Sequence, residues 1–208
     1  MAATRRSGFT GPAEVVAELT AQHRAGALRL PERVVAAGTP LDPVVLKTDV
    51  LARLFPFAAR RALGVASRRA KVTAVVWRDG GDELAVDPAG ATVATSAGAV
   101  VVTLPVACDQ TGAARAQVTF VVGAPDRPAG LYAATDGRPR GPAVVVERWA
   151  DALTALAWSA VLDLLDSVSA ALGRDEHGDP FVAGALVATR DAVTLTPMAR
   201  HRLGRLSS

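Results

Sequence analysis

Residues 143–173, AVVVERWADALTALAWSAVLDLLDSVSAALG, constrain this chain more than any other stretch. Turned at the helical period from Glu147, they gather Arg148, Ser159, Asp163 and Asp166 on one narrow polar stripe. Trp149, Leu153, Leu156, Trp158, Val161, Leu162, Leu164, Leu165, Val168 and Leu172 cover most of the remaining circumference. A helix apolar over so much of its surface is characteristically a buried one. It needs cover on at least two sides, so the fold must supply a sheet and something besides. The β-branched run Val144-Val145-Val146 ahead of it reads as a short strand that passes directly into the helix.

The sheet is legible upstream. From Lys71 the chain breaks into short β-type runs at 71–78, 83–87, 91–95, 99–107, 114–123, 131–135 and 143–147. They are separated by Asp79-Gly80-Gly81, Pro88-Ala89-Gly90, Ala97-Gly98, Thr111-Gly112 and two Gly/Pro loops. Tight turn chemistry between short strands predicts an antiparallel meander rather than βαβ units. The 99–107 run is apolar on both faces and so belongs in the middle. After the helix, 185–189 and 193–196 read as two more strands, and Thr196-Pro197 as the start of a last short helix.

Ahead of the sheet, Pro12 to about Ala27 has an amphipathic helical pattern carrying Val15, Val16 and Leu19, and residues 29–43 form a Pro/Gly-punctuated connector. A second helix is predicted from Asp42-Pro43 to Gly64, kinked or split at Pro56. The expected fold class is therefore α+β: an antiparallel multi-stranded meander sheet packed on one long, mostly apolar helix, with N-terminal helices. Residues 1–66 form a basic helical region and residues 67–208 the α+β core domain.

Composition narrows the functional classes. The single cysteine, Cys108, excludes an internal disulfide and a thiolate-rich zinc site. Residues 1–70 carry eleven Lys/Arg against five Asp/Glu, whereas 71–208 carry twelve against fifteen. Such a division can steer an anionic partner or dock one part of the chain on another. The chain has no isoleucine or asparagine and only two lysines, Lys47 and Lys71. This bias reads as codon pressure in a GC-rich bacterial genome, which discounts arginine as a functional signal. Neither a signal peptide nor a transmembrane span is expected, since the charge-free run Ala152–Leu162 is far shorter than the ~20 residues a bilayer needs. The reading is cytoplasmic.

Each candidate site has a plainer alternative. Arg138 and Arg140, in the loop 136–142, are placed to grip a carboxylate or phosphate, or are ordinary solvated turn residues. Asp163 and Asp166 are neighbours on the polar stripe, suited to acid–base work or to pairing with N-terminal arginines. Arg53, Arg60, Arg61, Arg68 and Arg69 make a basic stretch for a protein partner, unless paired within the chain. With only 4% aromatic residues, it lacks the interleaved rings of a stacking nucleic-acid surface. Asp175-Glu176-His177-Gly178-Asp179 lacks the register of a calcium loop. Cys108 has no histidine near it in sequence. Walker A, G-x-G-x-x-G, H-E-x-x-H, C-x-x-C and G-x-S-x-G motifs are absent, so no metal or cofactor is expected.

Two functions remain. The first is association without catalysis, as a homo-oligomer or with a protein partner, motivated by a helix with more apolar surface than one sheet face can cover. The second is a pocket protein or enzyme for a partly apolar acid between helix and sheet. There Arg138 or Arg140 would hold the carboxylate, Trp77, Trp149 or Trp158 would line the cavity, and Asp163 or His177 would be the base.

Overall fold

The computed structural model describes residues 42–65, 74–123, 129–130, 134–135, 137–175 and 177–199. The predicted helix at 12–27 and the arginines Arg68 and Arg69 lie outside them. In chain order the described elements are β1 (Val44–Lys47), α1 (Thr48–Ala62), β2 (Val75–Asp79), β3 (Asp82–Val86), β4 (Thr92–Ser96), β5 (Ala99–Cys108) and β6 (Gly112–Val121). Then come β7 (Ala129–Gly130), β8 (Ala134–Thr135), α2 (Ala143–Ala171), β9 (Val182–Ala188) and β10 (Ala192–Met198). The fold is α+β, with antiparallel sheets packed against the long apolar helix α2.

The strands divide between two sheets where the sequence suggested one meander. The larger has the order β2-β3-β5-β6-β8, and β4 pairs with the same edge of β5 as β3 does. β4 covers residues 99–103 of β5 and β3 covers Val106 and Ala107. Pro105 falls between them. Its carbonyl accepts Asp87 N–H at 3.0 Å on that edge, so its missing donor coincides with the gap where one strand ends and the other begins. The smaller sheet has the order β1-β10-β9-β7. The two are laced at one corner: Val122 N–H donates to Gly98 O (2.8 Å), Gly98 N–H to Ala188 O (2.9 Å) and Ala188 N–H to Gly123 O (2.8 Å).

α2 packs against β5 and β6 of the larger sheet, β9 and β10 of the smaller one, and α1 alongside. Fourteen of its residues are buried, from Val145 to Ser169. At 29 residues it is long and apolar enough to cross a bilayer by length and composition, but two thirds of its most apolar window is covered inside the fold. α1 presents Leu51, Phe55, Ala58 and Ala59 to the core and also contacts β4 and β1.

Three local readings are corrected. Residues 143–147 are the first turns of α2, not a strand. Val145 and Val146 N–H both donate to Pro142 O, at 2.9 and 3.0 Å, and Val145 is fully buried one turn before Trp149. A valine costs a helix about 0.5 kcal/mol relative to alanine, while burying one contributes about 1.5–3 kcal/mol. Burial wins. Residues 44–47 pair with Ala192–Leu195 as β1 instead of opening the helix. α1 therefore begins at Thr48, whose N–H and Oγ1–H both donate to Asp191 O (3.0 and 2.8 Å), and runs unbroken through Pro56. Thr196-Pro197 lies inside β10, not in a helix. β1 has ended by that point and a register shift falls between the two residues, so the absent proline N–H disrupts no ladder.

Packing of α1 against α2 leads to a direct expectation. Phe55→Ala, at 0% exposure, should destabilise the protein by about 3–5 kcal/mol in urea unfolding. Phe57→Ala, on the opposite face at 54% exposure, should stay within about 0.5 kcal/mol. Equal costs would mean that α1 is not seated as described.

Candidate functional site

The polar stripe of α2 is laced into the rest of the chain. Near its start, Arg148 donates from Nε to Asp79 Oδ2 (3.2 Å) and from Nη2 to Asp79 O (2.6 Å), and its Nη1 pairs with Asp82 Oδ2. Further along, Arg61 Nε of α1 donates to Asp163 Oδ2 at 2.7 Å, and Arg61 Nη2 reaches Ser167 Oγ. One turn on, Asp166 Oδ1 accepts Ala183 N–H of β9 at 3.3 Å. The stripe thus fastens α2 to the β2–β3 hairpin, to α1 and to the smaller sheet in turn.

The hairpin held by Arg148 is built for close approach. Asp79 and Asp82 close a two-residue turn in which Gly80 and Gly81 have φ of +54° and +96°. Left-handed conformations at both positions are the mark of a type I′ hairpin, which glycine adopts without strain. A Cβ on Gly80 would stand 2.8 Å from Arg148 Nη2. Beside it lies the β5–β6 turn, where Gln110 Nε2–H donates to Asp82 Oδ1 at 3.3 Å. Cys108 Sγ and Thr111 Oγ1 are 3.2 Å apart in the same turn.

These two turns and the head of α2 border an open cavity of about 410 Å³ lined by Asp82, Glu83, Cys108, Gln110, Val144, Glu147, Arg148 and Trp149. Trp149 is buried and packs on Trp77 with ring centroids 6.1 Å apart. Glu83 pairs with Arg78, Nε to Oε1 at 2.6 Å. Glu147 is exposed and meets no hydrogen-bonding or ionic partner among the described residues. No histidine lines the cavity.

Of the ligand residues expected from sequence, the structure brings only Trp149 to this cavity. Trp158 is fully buried against Phe120, centroids 4.9 Å apart, and its indole nitrogen has no hydrogen-bond partner among the described residues. Asp163 is engaged by Arg61. Arg138 and Arg140 are exposed, the latter in a backbone bridge to Gln117, and neither lines the cavity. In the basic stretch, Arg53 bonds Asp49 one turn back (3.1 Å) and Arg61 bonds Asp163. Asp175 accepts His177 and Asp179 N–H on one oxygen, both at 2.9 Å, which makes its cluster a self-bonded turn. No group of three or more metal-ligating residues occurs among the described residues.

Sequence reasoning missed Asp82, Glu83, Gln110 and Glu147 as a set. The sequence raises Cys108 as a nucleophile lacking a nearby base, not as part of a cavity. The Gly-Gly turn was the available signal, but nothing local says which helix lies under it. The chain matches no protein-family model, and neither a curated protein nor a solved structure similar to it was found.

Gly80→Ala should cost about 1–2 kcal/mol from left-handed strain alone, and more while Arg148 occupies the space. In an Arg148→Ala background the cost should fall toward the strain value. A urea-melt double-mutant cycle showing simple additivity would contradict the close approach.

Proposed function

We propose that this protein binds a small molecule in the cavity at the head of α2, with no catalytic set of its own. The observation that carries the reading is the cavity itself. Its volume falls within the several-hundred-Å³ range of ligand sites, it joins apolar and polar groups, and several of the polar groups are already oriented. Arg148, Asp82 and Gln110 are tied to one another, so little ordering entropy remains to be lost on binding. Cys108 has only Thr111 beside it as a hydrogen-bond partner, which argues against nucleophilic catalysis there. With one cysteine, and with the one bilayer-length helix among the described residues mostly buried in the fold, the protein is best read as working in the cytoplasm.

Because Cys108 is the only cysteine and lines the cavity, it reports on occupancy. A fragment that binds there should slow reaction of the thiol with a chromogenic disulfide reagent in proportion to saturation. Val144→Trp, which fills the cavity from a half-exposed position, should abolish that protection while leaving the melting temperature within a few degrees. If no fragment protects Cys108, the reading fails.

Association remains as a second reading, with a narrower basis than the sequence suggested. The apolar surplus of α2 is covered by two sheets and α1 of the same chain. What favours association is the outer face of α1, where Leu54 and Phe57 are exposed one turn apart beside Arg53 and Arg61. Under this reading light scattering should detect a dimer at high concentration, and Phe57→Glu should return it to monomer. A wild-type monomer throughout would remove it.

A further inference from the structure

Charge selects among the ligands this cavity can take. Its lining holds three carboxylates, Asp82, Glu83 and Glu147, and one guanidinium, Arg148. Arg148 is saturated by Asp79 and Asp82, and Arg78 answers Glu83 from outside the lining. The start of α2 adds the equivalent of about half a positive charge. Counting all of these, the site remains negative, in a chain whose formal charge is +3. An incoming carboxylate would find no free cation in the lining and would face Glu147. An ammonium or guanidinium would instead find the carboxylate of Glu147, exposed and without a side-chain partner among the described residues.

We infer that the cavity recognises a small organic cation, an amine or guanidine with an apolar body. The carboxylate of Glu147 would hold the charged head, and Val144, the exposed apolar residue of the lining, would contact the body. This rests on the ligand-binding reading above and fixes the sign of the ligand, opposite to the acid expected from the arginine-bearing loop. Asp82 has a different part, since its carboxylate is already engaged by Arg148 and Gln110.

The test uses three probes of one size, 2-phenylethylamine, phenylacetate and 2-phenylethanol, titrated into the full chain at low salt. Binding is read from the Trp149 indole N–H resonance and from Cys108 protection. The amine should bind most tightly, and its affinity should fall when salt is raised, because the pair is partly exposed. Glu147→Gln should weaken the amine by about three- to five-fold, the scale of one such ion pair, and leave 2-phenylethanol unchanged. Glu147 has no side-chain partner among the described residues, so a melting temperature unchanged within a few degrees confirms that only the site was changed. If phenylacetate matches or exceeds the amine, or Glu147→Gln has no effect, the cation inference falls while the ligand-binding reading survives. If none of the three shifts Trp149 or protects Cys108, both fall.

Discussion

Everything in this structure depends on the burial of α2 on nearly all sides. A surface helix hides one stripe, but α2 hides residues from Val145 to Ser169 around most of its circumference. One sheet face covers roughly a third of a helix. The chain therefore uses three covers: β5 and β6 on one flank, β9 and β10 on another, and α1 in the remaining gap. The division of the strands into two sheets follows from this, as does the placing of β1, which carries α1 to its position. What does not fit beneath these covers is the polar stripe, and each of its charged members meets a partner from a different element.

Arg148 joins that architecture to the candidate site. One guanidinium engages both ends of the β2–β3 turn and so sets the hairpin against the first turns of α2. Gly-Gly allows the approach, Asp82 passes the constraint to Gln110, and the space between becomes a cavity with fixed walls. A partly exposed ion pair of this kind adds little to global stability. Its effect is geometric: it decides where carboxylates stand relative to Trp149.

Much of the fold could be read from periodicity. The 3.6-residue pattern of 147–172 and the Gly-bearing turns at 80, 98 and 112 identify the helix and the hairpins, because both signals are local. Val144–Val146 and Pro197 were misread for the complementary reason. Valine favours strands and Thr-Pro favours helix starts only weakly, and in each case a tertiary contact of larger magnitude decided: burial beside Trp149, and pairing with β9 at a place where β1 had stopped. The site was less legible still. Asp82, Cys108, Gln110 and Glu147 span some sixty-five positions, and no spacing rule relates two hairpin tips to the head of a helix further along.

By itself, then, the sequence determined that residues 147–172 form a buried helix, that antiparallel strands cover it, and that no familiar catalytic or metal-binding motif is present. It also put Asp163 within reach of N-terminal arginines as one of two alternatives, the one the Arg61 pair realises. Only the tertiary structure decided that the strands form two sheets, that the second cover of the helix comes from the same chain, and that carboxylates outnumber cations in the cavity at the head of α2. Patterning encodes how much surface each element must bury. Which elements meet to bury it depends on long-range pairing, and the electrostatics of a cavity exist only once those elements have met.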